Sequence, residues 1–358
     1  MNTDEKYIKE CIELAKFGEG KVSPNPLVGS VVLDKDGNEV GRGYHMKYGE
    51  AHAEINALNQ AGEKAKGGTI YINLEPCSHF GKTPPCADRV ISSGVKRVII
   101  GMTDPNPRVA GEGIKKIQQA DIEVTFGILE GECRKLNEIF IKHITKNKPF
   151  IAIKTASTID GKIATRTGSS KWITSDLARE KVQRLRNKYD AILAGSGTVI
   201  KDNPSLTCRL EGGRNPVRVI IDSELKTSPN SKVYNNDGTR VLIAASEKVE
   251  GNYPANVEII RCPLTDEGKI DLKYLTAELY KKGIMSILIE AGGKLNGAFL
   301  KNNFVDKFYF FIAPKILGDN QAHSNIESFN IENIDQCINL RFDEVKFFPP
   351  DLMIEAYI

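Results

Sequence analysis

Apolar positions recur at helical spacing near the start of the chain, where Tyr7, Ile8, Cys11, Ile12 and Ala15 share one face. Thr3 is placed to cap this predicted helix and Gly18 to end it. The pattern then becomes a continuous run, Val28-Gly29-Ser30-Val31-Val32-Leu33, which predicts a strand. Asp36-Gly37 turns the chain into a partner strand ending at His45, a hairpin signal. Helices and strands alternate beyond it. A helix over 52–62 precedes a strand at 69–74, one over 87–93 precedes a strand at 97–101, and one over 114–119 precedes a strand at 123–127. A last helix runs from Glu130 to Lys146. Such alternation predicts a sheet sandwiched by helices.

At Lys146-Asn147-Lys148-Pro149 the pattern breaks, because proline disfavours helix at the residue before it. A second α/β pattern follows, with strands predicted at 150–157, 191–194, 217–222, 240–245, 286–290 and 307–313. Helices are predicted after Ser175, whose hydroxyl caps, over 272–282, and after Gly293. Two domains result, 1–147 and 148–358, as a chain of 358 residues favours.

Composition narrows the classes. With 41% hydrophobic and 27% charged residues the chain is an ordinary globular one. A net charge of +3, spread along the sequence, argues against a nucleic-acid surface, which needs a concentrated basic stripe. The polar start MNTDEKYIKE is no signal peptide, and no apolar run reaches the roughly 20 residues that span a bilayer. Seven cysteines without a disulfide-framework spacing fit a reducing compartment, so a cytoplasmic location is expected.

Two segments carry the clearest chemistry: His52-Ala53-Glu54, and Glu75-Pro76-Cys77 followed by Cys86. One imidazole and two thiolates make three zinc ligands and leave a tetrahedral ion one open position for water. Zinc lowers the pKa of that water towards neutrality. Glu54 is then the candidate catalytic proton shuttle, moving a proton to the ring nitrogen and the leaving amine. His52, Cys77 and Cys86 each fall where a predicted loop enters a helix, whose N-terminus favours thiolate. Taken singly, each is more often a plain core side chain. Together they match the zinc-deaminase signature, except that eight residues, Ser78 to Pro85, separate the cysteines instead of two. That longer loop fits nucleic-acid deaminases poorly. Cys11, Cys133, Cys208, Cys262, Cys337, His143 and His323 read as structural or incidental.

These motifs have neighbours that resemble one family. Ser23-Pro24-Asn25-Pro26-Leu27-Val28-Gly29, Gly49-Glu50-Ala51-His52-Ala53-Glu54, the run Leu74 to Cys86, Asp104-Pro105-Asn106-Pro107 and Val109-Ala110-Gly111 resemble the bifunctional deaminase/reductase family of riboflavin biosynthesis. Ala156 to Lys162, Ser170 to Thr174, Asp202 to Arg209 and Glu290-Ala291-Gly292-Gly293 resemble its reductase domain. The likeness spans nearly the whole chain and weakens after Gln321. It implies a cytidine-deaminase-like three-layer α/β/α domain followed by a dihydrofolate-reductase-like α/β domain. It implies zinc-dependent deamination of a diaminopyrimidinone carrying a ribosylamino 5′-phosphate. Reduction of that product's ribose to a ribityl chain by NADPH would follow. It also implies a small-molecule substrate and a homo-oligomer, dimer or tetramer.

Site residues follow from the same resemblance. Asn25, His45, His79 and Lys82 would line the pyrimidine and phosphate side of the first pocket. NADPH would lie near Ala156, Trp172, Thr198, Asp202, Ser223 and the run Gly292, Gly293, Lys294, Leu295, Asn296, Gly297 and Ala298. The phosphosugar would lie near Ser170, Arg186, Leu206, Arg209 and Glu290. The residues themselves say less. Gly195-Ser196-Gly197 lacks the third glycine of the dinucleotide fingerprint. Gly292-Gly293, between a strand and a helix, suits an anion site, yet a simple turn into a helix fits equally. Arg186 and Arg209 suit phosphate oxygens as bidentate forks, and Lys154 on the first strand of this half suits ribose hydroxyls. Two other readings stay open at this level: a nucleoside, base or tRNA deaminase with an unrelated second domain, and a binding protein with structural zinc.

Overall fold

In a computed structural model, which describes residues 2–78, 85–106, 109–327 and 329–358, the chain divides into two compact units, Met1–Asn147 and Lys148–Ile358. The first contains α1 (Thr3–Ala15), β1 (Gly29–Leu33), β2 (Glu39–Tyr44), α2 (Ala53–Ala61), β3 (Thr69–Leu74), α3 (Cys86–Ser92), β4 (Arg97–Met102), α4 (Glu112–Gln118), β5 (Glu123–Phe126), α5 (Glu130–Leu136) and α6 (Glu138–Lys146). Its sheet runs β2-β1-β3-β4-β5, with β1 antiparallel to both neighbours and β3, β4 and β5 parallel. Alternate side chains of each strand serve opposite faces. Ile70, Ile72, Val98 and Ile100 pack with Leu58, Val90 and Ile117 from α2, α3 and α4. Tyr71, Ile99 and Met102 pack with Ile8, Ile12 and Cys133 from α1 and α5 on the other side.

Two boundaries differ from the sequence expectation. The cap of α1 is Asn2, not Thr3: its side chain accepts from the Glu5 amide while the Glu5 carboxylate accepts from the Asn2 amide. The helix expected over 130–146 breaks at Asn137, which is buried and turned to Leu27. Its side chain accepts from the Leu27 amide at 2.8 Å and donates to the Leu27 carbonyl at 3.0 Å.

The second unit contains β6 (Phe150–Thr158), β7 (Lys162–Ala164), α7 (Asp176–Lys188), β8 (Ala191–Gly195), α8 (Ser196–Asp202), β9 (Val217–Ile221), β10 (Val241–Ser246), β11 (Val257–Cys262), α9 (Leu272–Lys281), β12 (Ser286–Ile289), α10 (Gly293–Lys301), β13 (Lys307–Ala313), β14 (His323–Ser324), β15 (Arg341–Phe348) and β16 (Asp351–Tyr357). Nine strands form one sheet, ordered β11-β10-β9-β8-β12-β6-β13-β16-β15, parallel from β11 to β13. β16 and β15 complete it antiparallel, and β7 pairs with β14 in a separate ribbon. Parallel strands covered on both faces read as unbroken apolar runs, which is why β8, β10 and β12 were legible. Ser175 caps α7 through its hydroxyl, as its sequence position predicts. No helix among the described residues is long and apolar enough to cross a membrane.

Helix α2 reaches unusually close to β2. A Cβ on Gly43 would stand 2.6 Å from the Ala57 amide nitrogen and 2.7 Å from the Ala53 carbonyl oxygen. Gly43→Ala is therefore expected to cost about 1–3 kcal/mol by overpacking. Hydrogen exchange would show faster opening of β2 and α2 with protection in the second unit retained; unchanged protection in β2 would contradict this packing.

Candidate active sites

The close seat of α2 matters because His52 is its N-cap and Glu54 lies in its first turn. Cys86 opens α3, with Pro85 as N-cap. Cys77 stands in the irregular segment 75–78 after β3 and not at a helix start, contrary to expectation. It still receives the helix amide, because the Cys86 N–H donates to the Cys77 sulfur at 3.3 Å. Single ligand atoms of His52, Cys77 and Cys86 lie within 4.8 Å of one another, the one such group among the described residues. His52 Nδ1 is 3.2 Å from the Cys86 sulfur and 3.8 Å from that of Cys77. Tetrahedral zinc ligands, at about 2.0 Å for nitrogen and about 2.3 Å for sulfur, stand roughly 3.5 Å apart, so the donor set fits zinc.

The three ligand side chains are strongly linked to one another through hydrogen bonds. A hydrogen bond from Cys86, with help from His52, holds the Cys77 thiol down to about 4, while Cys86, as donor to Cys77, is pushed up. The hydrogen bond with Cys77 raises His52. Burial lifts Glu54 to about 7, and its Oε2 has no hydrogen-bond partner among the described residues. A buried carboxyl beside the ligand cluster is placed to take and return a proton.

These residues share a cavity of about 360 Å³ whose lining includes Asn25, His45, His52, Glu54 and Cys77. His45 Nδ1 faces the Ala51 carbonyl, which can only accept, so Nε2 is left to accept from the Asn25 amide at 3.1 Å. Burial lowers the His45 pKa, which keeps that ring neutral. His79 and Lys82 lie outside the described residues. Sequence reasoning missed Glu75, Asp104, Asn106, Val109, Phe140 and Ile144 as lining residues. The motifs around Glu75, Asp104-Pro105-Asn106 and Val109-Ala110-Gly111 were the available signal for four of them. Phe140 and Ile144 carried none, being ordinary apolar positions of α6.

In the second unit the cofactor candidates stand at the carboxyl ends of four neighbouring strands. Ser223 follows β9, Thr198 and Asp202 lie on α8 after β8, Gly292 to Ala298 follow β12, and Ala156 is on β6. In parallel sheets that edge is where ligands bind. Trp172 is exposed, with the Arg179 guanidinium 4.4 Å over its ring, so it is no core residue. The glycines of α10 divide their roles. Gly292 has open space where a Cβ would stand, which suits close approach of an anion to the first amides of the helix. Gly293 and Gly297 instead make room for the backbone of Ser324 and Glu327. Residues and space here fit a nucleotide phosphate, and NADPH would be held at this edge.

Among the substrate candidates, three are joined directly. Glu290, largely shielded just after β12, accepts both Arg186 Nε at 2.8 Å and Arg186 Nη2 at 3.0 Å, with Lys154 Nζ at 3.0 Å. Arg186 also donates to the Thr207 carbonyl, so its fork is committed to protein and not left open for phosphate. Leu206 is buried at positive φ, Arg209 is held through its amide to Gln183, and Ser170 lies in the segment before Trp172. Burial would raise the Glu290 carboxyl, but Arg186 and Lys154 outweigh it and hold it at about 2.

That depressed value fixes a pH dependence. Folded Glu290 titrates below the ordinary 4.5, so its contribution is complete above that value and is lost as pH falls towards about 2. The full effect is about 3 kcal/mol. Trp172 is the only tryptophan, so its fluorescence in urea reports the second unit. Between about pH 5 and about pH 2.5 the wild-type midpoint is expected to drop more than that of Glu290→Gln; equal drops would refute the pairing.

Known proteins share this arrangement. Residues 1–102 match the cytidine and deoxycytidylate deaminase zinc-binding region, and residues 149–354 match the RibD C-terminal domain. The riboflavin biosynthesis protein RibD of Bacillus amyloliquefaciens is 42% identical, covering 99% of this chain and 96% of its own. RibD of Escherichia coli is 40% identical over 98% of both chains. A crystal structure from Thermotoga maritima, described as a diaminohydroxyphosphoribosylaminopyrimidine deaminase/5-amino-6-(5-phosphoribosylamino)uracil reductase, superposes with a TM-score of 0.89 at 42% identity, covering 99% of this chain and 98% of that one. With a cytidine-deaminase-like first unit and a RibD reductase domain behind it, the chain belongs to the RibD family of bifunctional riboflavin biosynthesis proteins.

Proposed function

We propose that the first unit deaminates the diaminopyrimidinone ribosylamino 5′-phosphate and that the second reduces the ribosyl group of the product to ribityl. The observation that carries the first step is the cluster of His52, Cys77 and Cys86 beside the buried Glu54, with His52, Cys77 and Glu54 lining one cavity. Its volume of about 360 Å³ is that of a small-molecule site. His52, Cys77 and Cys86 would hold zinc, which would supply a water acidic enough to act as nucleophile at neutral pH. Glu54 is the catalytic group whose carboxylate carries the attacking water's two protons in turn, the first to the ring nitrogen and the second to the leaving amine, so that ammonia departs and the water oxygen becomes the carbonyl. Asn25 and His45 orient the pyrimidine, the His45 tautomer directing the Asn25 amide oxygen away from itself.

In the second unit NADPH supplies the hydride. Ala156, Thr198, Asp202, Ser223 and the segment from Gly292 to Ala298 bind it along the strand ends, joined by Trp172 from the segment between β7 and α7. The largely shielded set Lys154, Glu290 and Arg186 fixes the sugar, with the Lys154 ammonium and the Glu290 carboxylate offered to its hydroxyls. Ser170, Leu206 and Arg209 complete the phosphosugar side. Exposed Phe342, Val345 and Phe347 on the edge strand β15 support assembly into a homo-oligomer. The free cysteines and the lack of any membrane-crossing helix among the described residues support a cytoplasmic setting.

Glu54→Gln is expected to cut ammonia release at least about 1000-fold, while zinc content and NADPH oxidation with the deaminated product stay unchanged. Chelation of the wild type should likewise stop ammonia release and spare NADPH oxidation. Deamination that survives both treatments would overturn the assignment.

A further inference from the structure

Glu75 stands two residues before Cys77, yet its carboxylate points to neither the ligands nor solvent. Oε2 accepts from the amides of Asp104 at 2.9 Å and Gly111 at 3.0 Å. Oε1 accepts from those of Gly113 at 2.9 Å and Ile114 at 3.3 Å. One buried side chain thus grips both ends of the segment between β4 and α4. The Glu75 amide fastens the other side, donating to the Met102 carbonyl at 2.9 Å. Gly113 lets the two segments meet at backbone distance, since a Cβ there would collide with the Pro76 carbonyl oxygen. The gripped segment supplies Asp104, Asn106 and Val109 to the wall of the cavity that holds His52, Glu54 and Cys77. Capping α4 would need only the Gly113 and Ile114 bonds. Those to Asp104 and Gly111 tie the wall itself to the metal-ligand segment.

We propose that Glu75 is a positioning residue of the deaminase, setting the pocket wall formed by Asp104, Asn106 and Val109 at a fixed distance from the metal ligands and so governing substrate binding. This deepens the deaminase reading and rests on it. A carboxylate suits the task because every one of its partners is a donor. An amide in its place presents one acceptor oxygen and turns N–H groups towards N–H groups. Gly113→Ala attacks the same contact from the opposite side.

The test uses the full-length, zinc-loaded chain with the phosphoribosyl diaminopyrimidinone as substrate. Glu75→Gln and Gly113→Ala are each expected to raise KM by about 10- to 100-fold while kcat changes by less than about threefold. Zinc stoichiometry and NADPH oxidation by the same chain should stay at wild-type values. The double variant should be little worse than the poorer single one, because both changes break one contact. Loss of zinc from either variant, a fall in kcat at constant KM, or strictly additive effects would overturn the proposal. Absence of ammonia release from the wild type would instead remove the deaminase reading beneath it.

Discussion

Loops that wall a cavity have backbone amides and carbonyls with no helix or strand to satisfy them, and buried groups of this kind must find partners. In the first unit a few buried polar side chains supply those partners. Asn73 accepts from the Gly29 amide and donates to the Leu27 carbonyl, and Asn137 binds Leu27 at both its amide and its carbonyl. Glu75 takes four amides of the segment after β4. The loop carrying Asn25 is thereby held by Asn73 and Asn137, and the loop carrying Asn106 by Glu75. The cavity exists as a shape because these side chains are fixed in the core, and the ligand cluster opens into a space whose walls were set by them.

The second unit solves a related problem with ions. Its parallel strands end side by side, which gathers residues distant in sequence along one edge. A carboxylate buried there is tolerated only because Arg186 and Lys154 meet it. The second unit keeps its key carboxyl firmly ionised, because Arg186 and Lys154 outweigh the cost of desolvation.

Much of this was legible in the sequence, and the omissions have physical causes. Strands β3, β4 and β13 announce themselves because apolar runs of their length are bounded by turns. Helix α8 was missed because Gly195, Ser196 and Gly197 at its start resemble a loop. β15 hides because most of its residues are solvent-exposed, and β16 because it opens on a buried Asp351 whose carboxylate serves the Ser175 amide. The three ligands were readable because metal chemistry admits few residue types. Glu75 was in plain view beside Cys77, but a carboxylate that serves backbone amides nearly thirty residues or more away leaves no local pattern. The break at Asn137 was equally silent, since its cause is Leu27, far earlier in the chain.

Every described residue of the first cavity falls between Asn25 and Ile144, and the joined ion set of the second unit lies wholly beyond Lys148. The described residues named for the two reactions therefore come from separate stretches of the chain. Inherited changes that impair one catalyst therefore need not burden its companion. Natural selection can tune the two along separate residue sets, and a lineage that loses one reaction can keep the other in working order within the same polypeptide.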